Sequence, residues 1–238
     1  ARGATGIEVA PATDYGHDLA AMHAAIAPST RIVFVANPNN PTGTWIPPGA
    51  LEAFIASVPE DVLVVLDEAY NEYLAPEQCA PSAAWTIRYP NLIVSRTFSK
   101  AYGLAALRVG YGIMNAKVAD MLNRVRQPFN VNALAQAAAL AALADVAYVE
   151  ESRALNTAGR AALEQGFAKL GLTFVRSHAN FVLVKVGDAG RVYQRLLEQG
   201  VIVRPVANYA LPEWLRVTVG TTAENRRFLD ALAVALAG

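Results

Sequence analysis

Residues 62–70 read VLVVLDEAY: five apolar residues in succession, then two carboxylates and a tyrosine. A strand that is apolar on successive residues, rather than on alternate ones, suits a parallel sheet covered on both faces. RIVFVA (31–36) and NLIVSRTF (91–98) have the same character, and PPGALEAFIASV (47–58) carries a helical pattern between the first two runs. This alternation predicts an α/β fold with a mainly parallel sheet. RVGYGIM (108–114), with glycines at 110 and 112, adds a strand that other backbone approaches closely.

Beyond Val118 the pattern changes to long helices: KVADMLNRVR (117–126), ALAQAAALAALA (133–144) and a stretch from about Val146 to Leu170. The tail then offers FVLVKV (181–186), a helix AGRVYQRLLEQG (189–200) closed by glycine, VIVRPV (201–206), LRVTVG (215–220) and a last helix, AENRRFLDALAVAL. The expectation is a large α/β domain over 1–145 followed by a smaller α+β domain over 146–238.

The 238 residues are 54% hydrophobic and 17% charged, with 20 basic residues against 20 acidic ones. Such a balance sets up no overall field to attract nucleic acid or an anionic membrane. Cys79 is the single cysteine, and no Cys/His set has metal-ligand spacing, so a reducing, cytoplasmic setting is expected and no metal. The longest apolar run, 133–144, ends at Asp145, well short of a membrane span. The opening ARGATGIEVAP has no signal pattern and no initiating methionine, which suggests a chain beginning inside a longer protein.

Three loops follow strands directly, and the carboxyl ends of parallel strands converge on the crevice where ligands bind. NPNNPTG (37–43) is a rigid turn, since each proline fixes its own dihedral and bars helix before it, and Asn40 stands there as a hydrogen-bond donor. In DEAY (67–70), Asp67 ends an apolar strand. It is either a cap or, because a buried carboxylate needs a partner, the counter-charge to a ligand nitrogen. Glu68 is expected in a solvated or supporting place, and Tyr70 reaches the same crevice.

The third loop is SRTFSKAYGLAALRVGY (95–111). Thr97 and Ser99 point to one side if the segment is extended, and with Arg108 they make two hydroxyls and a guanidinium, a donor set suited to a phosphate monoester. Lys100 beside them is either a first-turn residue behind a Ser99 cap or a nucleophilic amine facing an aldehyde. One cofactor unites these groups. Pyridoxal 5′-phosphate has an aldehyde for Lys100, a phosphate for Thr97, Ser99 and Arg108, a ring nitrogen for Asp67 and a phenolic oxygen for Asn40 and Tyr70.

These motifs resemble the fold-type I pyridoxal-phosphate aminotransferases, and among them the histidinol-phosphate aminotransferase group. PFNVN (128–132), ANFVL (179–183), VIVRPV and LRVTVGT (215–221) continue the likeness in order. The resemblance implies Lys100 as the Schiff-base lysine, Asp67 at the pyridine nitrogen, Asn40 and Tyr70 at the phenolic oxygen, and Ser99, Arg108 and Thr97 at the phosphate. It also implies Arg216 on the substrate's anionic end, and Arg204 on a substrate phosphate or side-chain carboxylate. Partners implied are a small-molecule amino donor, a 2-oxo acid and a second copy of the chain. Members of this family carry an N-terminal segment, with a further phosphate-binding helix start and an aromatic ring stacked on the cofactor, that does not appear here.

Rival readings within the cofactor class are an aromatic aminotransferase and a decarboxylase acting on phospho-amino acids. From another class, the chain is a non-catalytic binding module built on the same fold. No helix-turn-helix pattern supports DNA binding, and no G-x-G-x-x-G follows a strand. His17, His23 and His178 are expected in structural or surface roles, and Trp45 and Trp85 as packing anchors. Tyr209 and Asn180 are candidates to line a substrate pocket, Asn180 alternatively capping FVLVKV, and Phe129–Asn132 is a candidate contact with a neighbouring subunit.

Overall fold

The computed structural model describes residues 3–237. Its first half builds one four-stranded sheet in the order β1 (Ile32–Ala36), β2 (Leu63–Asp67), β3 (Leu92–Thr97), β4 (Gly110–Met114). The first three strands are parallel and β4 is antiparallel to β3. α1 (Leu19–Ala24) precedes β1, α2 (Pro48–Ser57) joins β1 to β2, and α3 (Ser82–Arg88) lies between β2 and β3; α1 and α3 were not anticipated. Gly110 explains its own identity: a Cβ there would lie 2.6 Å from the Arg96 carbonyl oxygen of the paired strand.

The register places Val35, Leu66 and Val94 on one face, where they pack with Leu51, Phe54 and Ile55 of α2 and Trp85 of α3. The opposite face is open. Ile32 is 47% and Phe34 68% exposed. The expected cover on both faces is therefore found on one, because α1, α2 and α3 all contribute to the same apolar cluster.

Three helices follow: α4 (Ala116–Val125), α5 (Ala133–Ala144) and α6 (Val146–Lys169). Asp145 ends α5 and caps α6, its carboxylate accepting the Tyr148 N–H. The second sheet is antiparallel throughout, in the order β5 (Phe174–Val175), β6 (Phe181–Lys185), β8 (Trp214–Thr218), β7 (Arg204–Pro205). α7 (Ala189–Glu198) and α8 (Thr222–Ala237) complete the fold. VIVRPV contributes only the two residues of β7, and β5 was not anticipated.

Period-two geometry divides this second sheet sharply. Val182, Val184, Leu215 and Val217 face α6, α7 and α8 in a cluster with Leu163, Phe167, Leu196 and Leu232. Phe181, Leu183, Trp214 and Arg216 belong to the other face, and it is this face that meets the loops of the first sheet.

Candidate active site

The loop after β1 is folded by its own side chains. Asn37 exchanges two hydrogen bonds with the Ile46 backbone, at 2.8 and 3.1 Å, and Asn39 donates to the Thr42 hydroxyl at 2.9 Å. Both proline bonds, Asn37–Pro38 and Asn40–Pro41, are cis. The loop then seats on the second sheet. Gly43 adopts φ +75°, and a Cβ there would lie 2.1 Å from Ser177 Oγ, so only glycine fits. Asn40, at the loop's turn, accepts a 2.5 Å hydrogen bond from Arg216 of β8 through its side-chain oxygen.

Asp67 stands where β2 ends and is exposed, with one carboxylate oxygen accepting the Ala69 N–H at 3.0 Å. The premise that this carboxylate is buried is therefore corrected: the strand opens directly into the crevice. Burial falls instead on the next residue. Glu68 is 2% exposed and paired with Arg96 at 2.7 and 2.9 Å, so of its two expected placements, solvated or supporting, the structure has the supporting one, a closed ion pair. Sequence gave no sign of this pair, since Arg96 lies inside the strand run and nothing local links it to Glu68.

Tyr70 is buried and meets Phe181 edge-on, ring centroids 5.2 Å apart. Lys100 Nζ lies 5.6 Å from the centre of the Tyr70 ring, and Lys100 makes no ion pair among the described residues. Burial raises the Tyr70 phenol above its ordinary range; the Arg216 charge opposes that rise, and Asp67 and Tyr209 add to it. These electrostatic neighbours place Asp67, Arg216 and Tyr209 around one phenol.

The segment after β3 bends rather than continuing extended, and no helix begins at Ser99, so both the extended-strand premise and the cap reading are corrected. The bend still gathers the predicted set. The Ser99 N–H donates to Thr97 Oγ1 at 3.0 Å, and Arg108 donates to Ser99 Oγ at 3.4 Å and to the Ala105 carbonyl at 2.9 Å. Arg108 takes the left-handed conformation at φ +54°, which an arginine adopts only where surroundings hold it. Both hydroxyl protons remain to be donated, and a guanidinium stands beside them.

Arg216 lies against the Phe181 ring at 4.9 Å, and its Nε is buried without a hydrogen-bond partner. With Nη1 on Asn40 and Nε sealed from solvent, Nη2 is the remaining donor of this guanidinium. Arg204 is directly opposite Arg216 across the β7–β8 ladder, so the two project to the same face. It is exposed and lines a cleft of about 570 Å³ with Tyr193, Asn208 and Thr218. Burial raises the Tyr73 phenol above its ordinary range, with the Ser152 and Asn180 side chains opposing the rise, and the Asn180 backbone carbonyl accepts the Val219 N–H. Phe181 was the functional neighbour missed by sequence reading; its place two residues before Leu183 on the Arg216 face is visible only once the register is known.

The sequence matches the family described as aminotransferase class I and II over residues 1–232. The chain belongs to this family. It is 62% identical over 239 aligned residues to histidinol-phosphate aminotransferase 2 of Ralstonia nicotianae, which covers 99% of this chain and 64% of that protein. The aminotransferase fold here is similar to the crystal structure of histidinol-phosphate aminotransferase from Sinorhizobium meliloti in complex with pyridoxal-5′-phosphate, with a TM-score of 0.89 at 34% identity, covering 97% of this chain and 64% of that one. It is also similar to an aspartate aminotransferase tetra mutant from Thermus thermophilus, at TM-score 0.84 and 31% identity, covering 97% and 67%. The chain thus spans less than two thirds of the length of its histidinol-phosphate relatives. Among the described residues no group of His, Cys, Asp or Glu could hold a metal ion, and no single helix is long and apolar enough to cross a membrane.

Proposed function

We propose that this chain carries the cofactor- and substrate-binding centre of an aminotransferase that uses pyridoxal 5′-phosphate and converts histidinol phosphate and 2-oxoglutarate to imidazole acetol phosphate and glutamate, a step of histidine synthesis. The observation that carries the proposal is the Lys100 amine over Tyr70, set between the Thr97–Ser99–Arg108 cluster and the Asn40–Arg216 pair. The donor set fits the cofactor: two hydroxyls and a guanidinium for its phosphate, a free carboxylate oxygen on Asp67 for its ring nitrogen, and Asn40 with Tyr70 for its phenolic oxygen.

Bound there, pyridoxal phosphate supplies an aldehyde carbon conjugated to an electron-withdrawing ring. The chain's own part is to anchor, orient and move protons. Asp67 keeps the ring nitrogen protonated. Lys100 Nζ, the amine nearest these groups, accepts a proton from one carbon and returns it to another at close range, a step worth on the order of 10^2–10^4-fold when the base is held in place. Arg216 orients the substrate's anionic end through the Nη2 that Asn40 does not hold, and Arg204, across the ladder, takes the phosphate. Asn180 stands beside Phe181 at the edge of the same pocket.

Residues 1–145 then form the cofactor-binding domain and 146–238 the substrate-binding domain. The assembly we infer is a homodimer in the cytoplasm. It is supported by the exposed apolar side chains of Val125, Phe129, Leu134 and Leu140 and by a lone cysteine. The test is glutamate formation by the purified chain with pyridoxal phosphate, histidinol phosphate and 2-oxoglutarate. Arg204→Ala is expected to raise KM for histidinol phosphate. An unchanged KM in that variant removes the argument for a phosphate-bearing substrate, and release of carbon dioxide from a phospho-amino acid given in place of histidinol phosphate makes the reaction a decarboxylation.

A further inference from the structure

His178 is partly buried in the turn ahead of β6, outside the groups that the proposed reaction uses. Its backbone N–H donates to the Gly43 carbonyl at 2.7 Å, and its ring faces Trp45, centroids 5.3 Å apart. Both contacts are with the 37–46 loop. On its other side the ring Nδ1 lies 3.3 Å from Gln78 Nε2. The orientation of that amide is settled by its far end, because Gln78 Oε1 accepts the Ala75 N–H at 3.2 Å. Gln78 therefore presents N–H to the ring, Nδ1 must accept, and the imidazole is neutral with its proton on Nε2.

We propose that His178 is a positioning residue, a proton-sensitive latch that holds the 37–46 loop, and Asn40 with it, against the strand carrying Arg216. That Asn40 and Arg216 contact a ligand rests on the function proposed above; the latch itself does not.

Protonation acts against the Gln78 contact and against the positive charges around the ring, and only the Trp45 face opposes that loss, as an aromatic surface attracts a cation. A second ring N–H would face the Gln78 amide donor, and rotating that amide would break its bond to Ala75. Arg160 of α6, which donates to the Ala179 carbonyl at 3.3 Å, and Arg176 at the end of β5 act on the ring as positive charges, and no carboxylate is among the charges acting on it. Burial first, then these two arginines, hold His178 below the ordinary imidazole value of 6.5. The sign follows. The unfolded chain takes up this proton at higher pH than the folded one, so the latch's contribution is complete above pH 6.5 and is lost as pH falls below it. His17, whose Nε2 lies 2.9 Å from the Ala36 carbonyl, is lowered in the same direction, so the effect of His178 is read as a difference between variants.

The experiment is a histidine-ring NMR titration of the chain without cofactor, assigned with His178→Gln, alongside thermal unfolding from pH 5 to 8. The wild type should show His178 titrating below 6.5, with loop amides of 37–46 shifting in the same transition. Gln78→Glu keeps an acceptor for Ala75 and places a carboxylate on Nδ1, so it should raise the titration by roughly 1 unit or more. His178→Gln should flatten the acid limb of the stability profile relative to wild type. The latch is overturned by an ordinary titration in the wild type, by an unmoved one in Gln78→Glu, or by an unchanged acid limb in a folded His178→Gln. These readings do not involve pyridoxal phosphate, so they stand or fall apart from the labelling of Lys100.

Discussion

The two sheets have four strands each and place their polar chemistry differently. In the first, Asp67 is the last residue of β2, and Lys100 and Arg108 lie in the loop that joins β3 to β4. In the second, Arg216 lies within a strand, packed on Phe181 and facing the first sheet's loops. Loop chemistry tolerates an incompletely covered sheet, as the exposed Phe34 beneath it shows, whereas chemistry on a strand face depends on register and on the sealed core behind it. The side chains that the proposed function brings to a small ligand from several directions are supplied by short turns, and the arginine that it assigns to the substrate's anionic end is held on a strand.

Several substitutions can break or sharpen this contrast. The largest effect is expected at the loop side: Lys100→Ala should lower single-turnover transamination by roughly 10^2–10^4-fold while leaving the unfolding midpoint unchanged. On the strand side, stability is where the damage should appear. Leu196→Ala, in the fully buried cluster behind β8, should cost about 2–5 kcal/mol in urea unfolding. Phe34→Ser on the open face of the first sheet should stay within about 0.5 kcal/mol; equal losses at the two sites would erase the difference in core closure. Arg216→Lys removes the planar fork and should weaken substrate binding by about 1.5–3 kcal/mol, read as a raised KM, with little change in unfolding.

The smallest effect concerns Glu72, whose carboxylate oxygens are buried and whose carboxyl is raised above its ordinary 4.5 by burial, with its own backbone N–H and then Arg96 opposing and Glu68 reinforcing the rise. A raised carboxyl binds its proton more tightly folded than unfolded, so its contribution is complete below pH 4.5 and is lost as pH rises through the raised value. Glu72→Gln should therefore gain stability over wild type as pH rises, measured as the difference between urea midpoints at pH 4 and pH 7. A constant difference would contradict it.

The same contrast governs how much could be read in advance. The strands at 31–36, 62–67 and 91–98 announced themselves because apolar runs ended in turn residues, and the loop motifs followed each run without interruption. The helices α5 and α6 were bounded by Asp145, which caps the second. What stayed hidden depended on distance in sequence. Glu68 with Arg96, Asn40 with Arg216 and Gly43 with Ser177 are partners separated by 28, 176 and 134 positions, and no local pattern encodes such meetings. The expectation that Asp67 was buried failed for a related reason: a strand's hydrophobicity says that it is covered, not where its last residue emerges.

The central claim is that one amine among four lysines is set apart by its surroundings. Lys100, Lys117 and Lys169 are all exposed and Lys185 is paired with Glu213 at 3.1 Å, but of these Lys100 is the one that stands over Tyr70 beside the hydroxyl cluster. Adding pyridoxal phosphate to the purified chain, reducing with borohydride and mapping the label by peptide mass spectrometry tests this directly. The account predicts a label on Lys100 at near-stoichiometric yield, absent from Lys100→Ala. A label spread evenly over the exposed lysines, or undiminished in that variant, would contradict it.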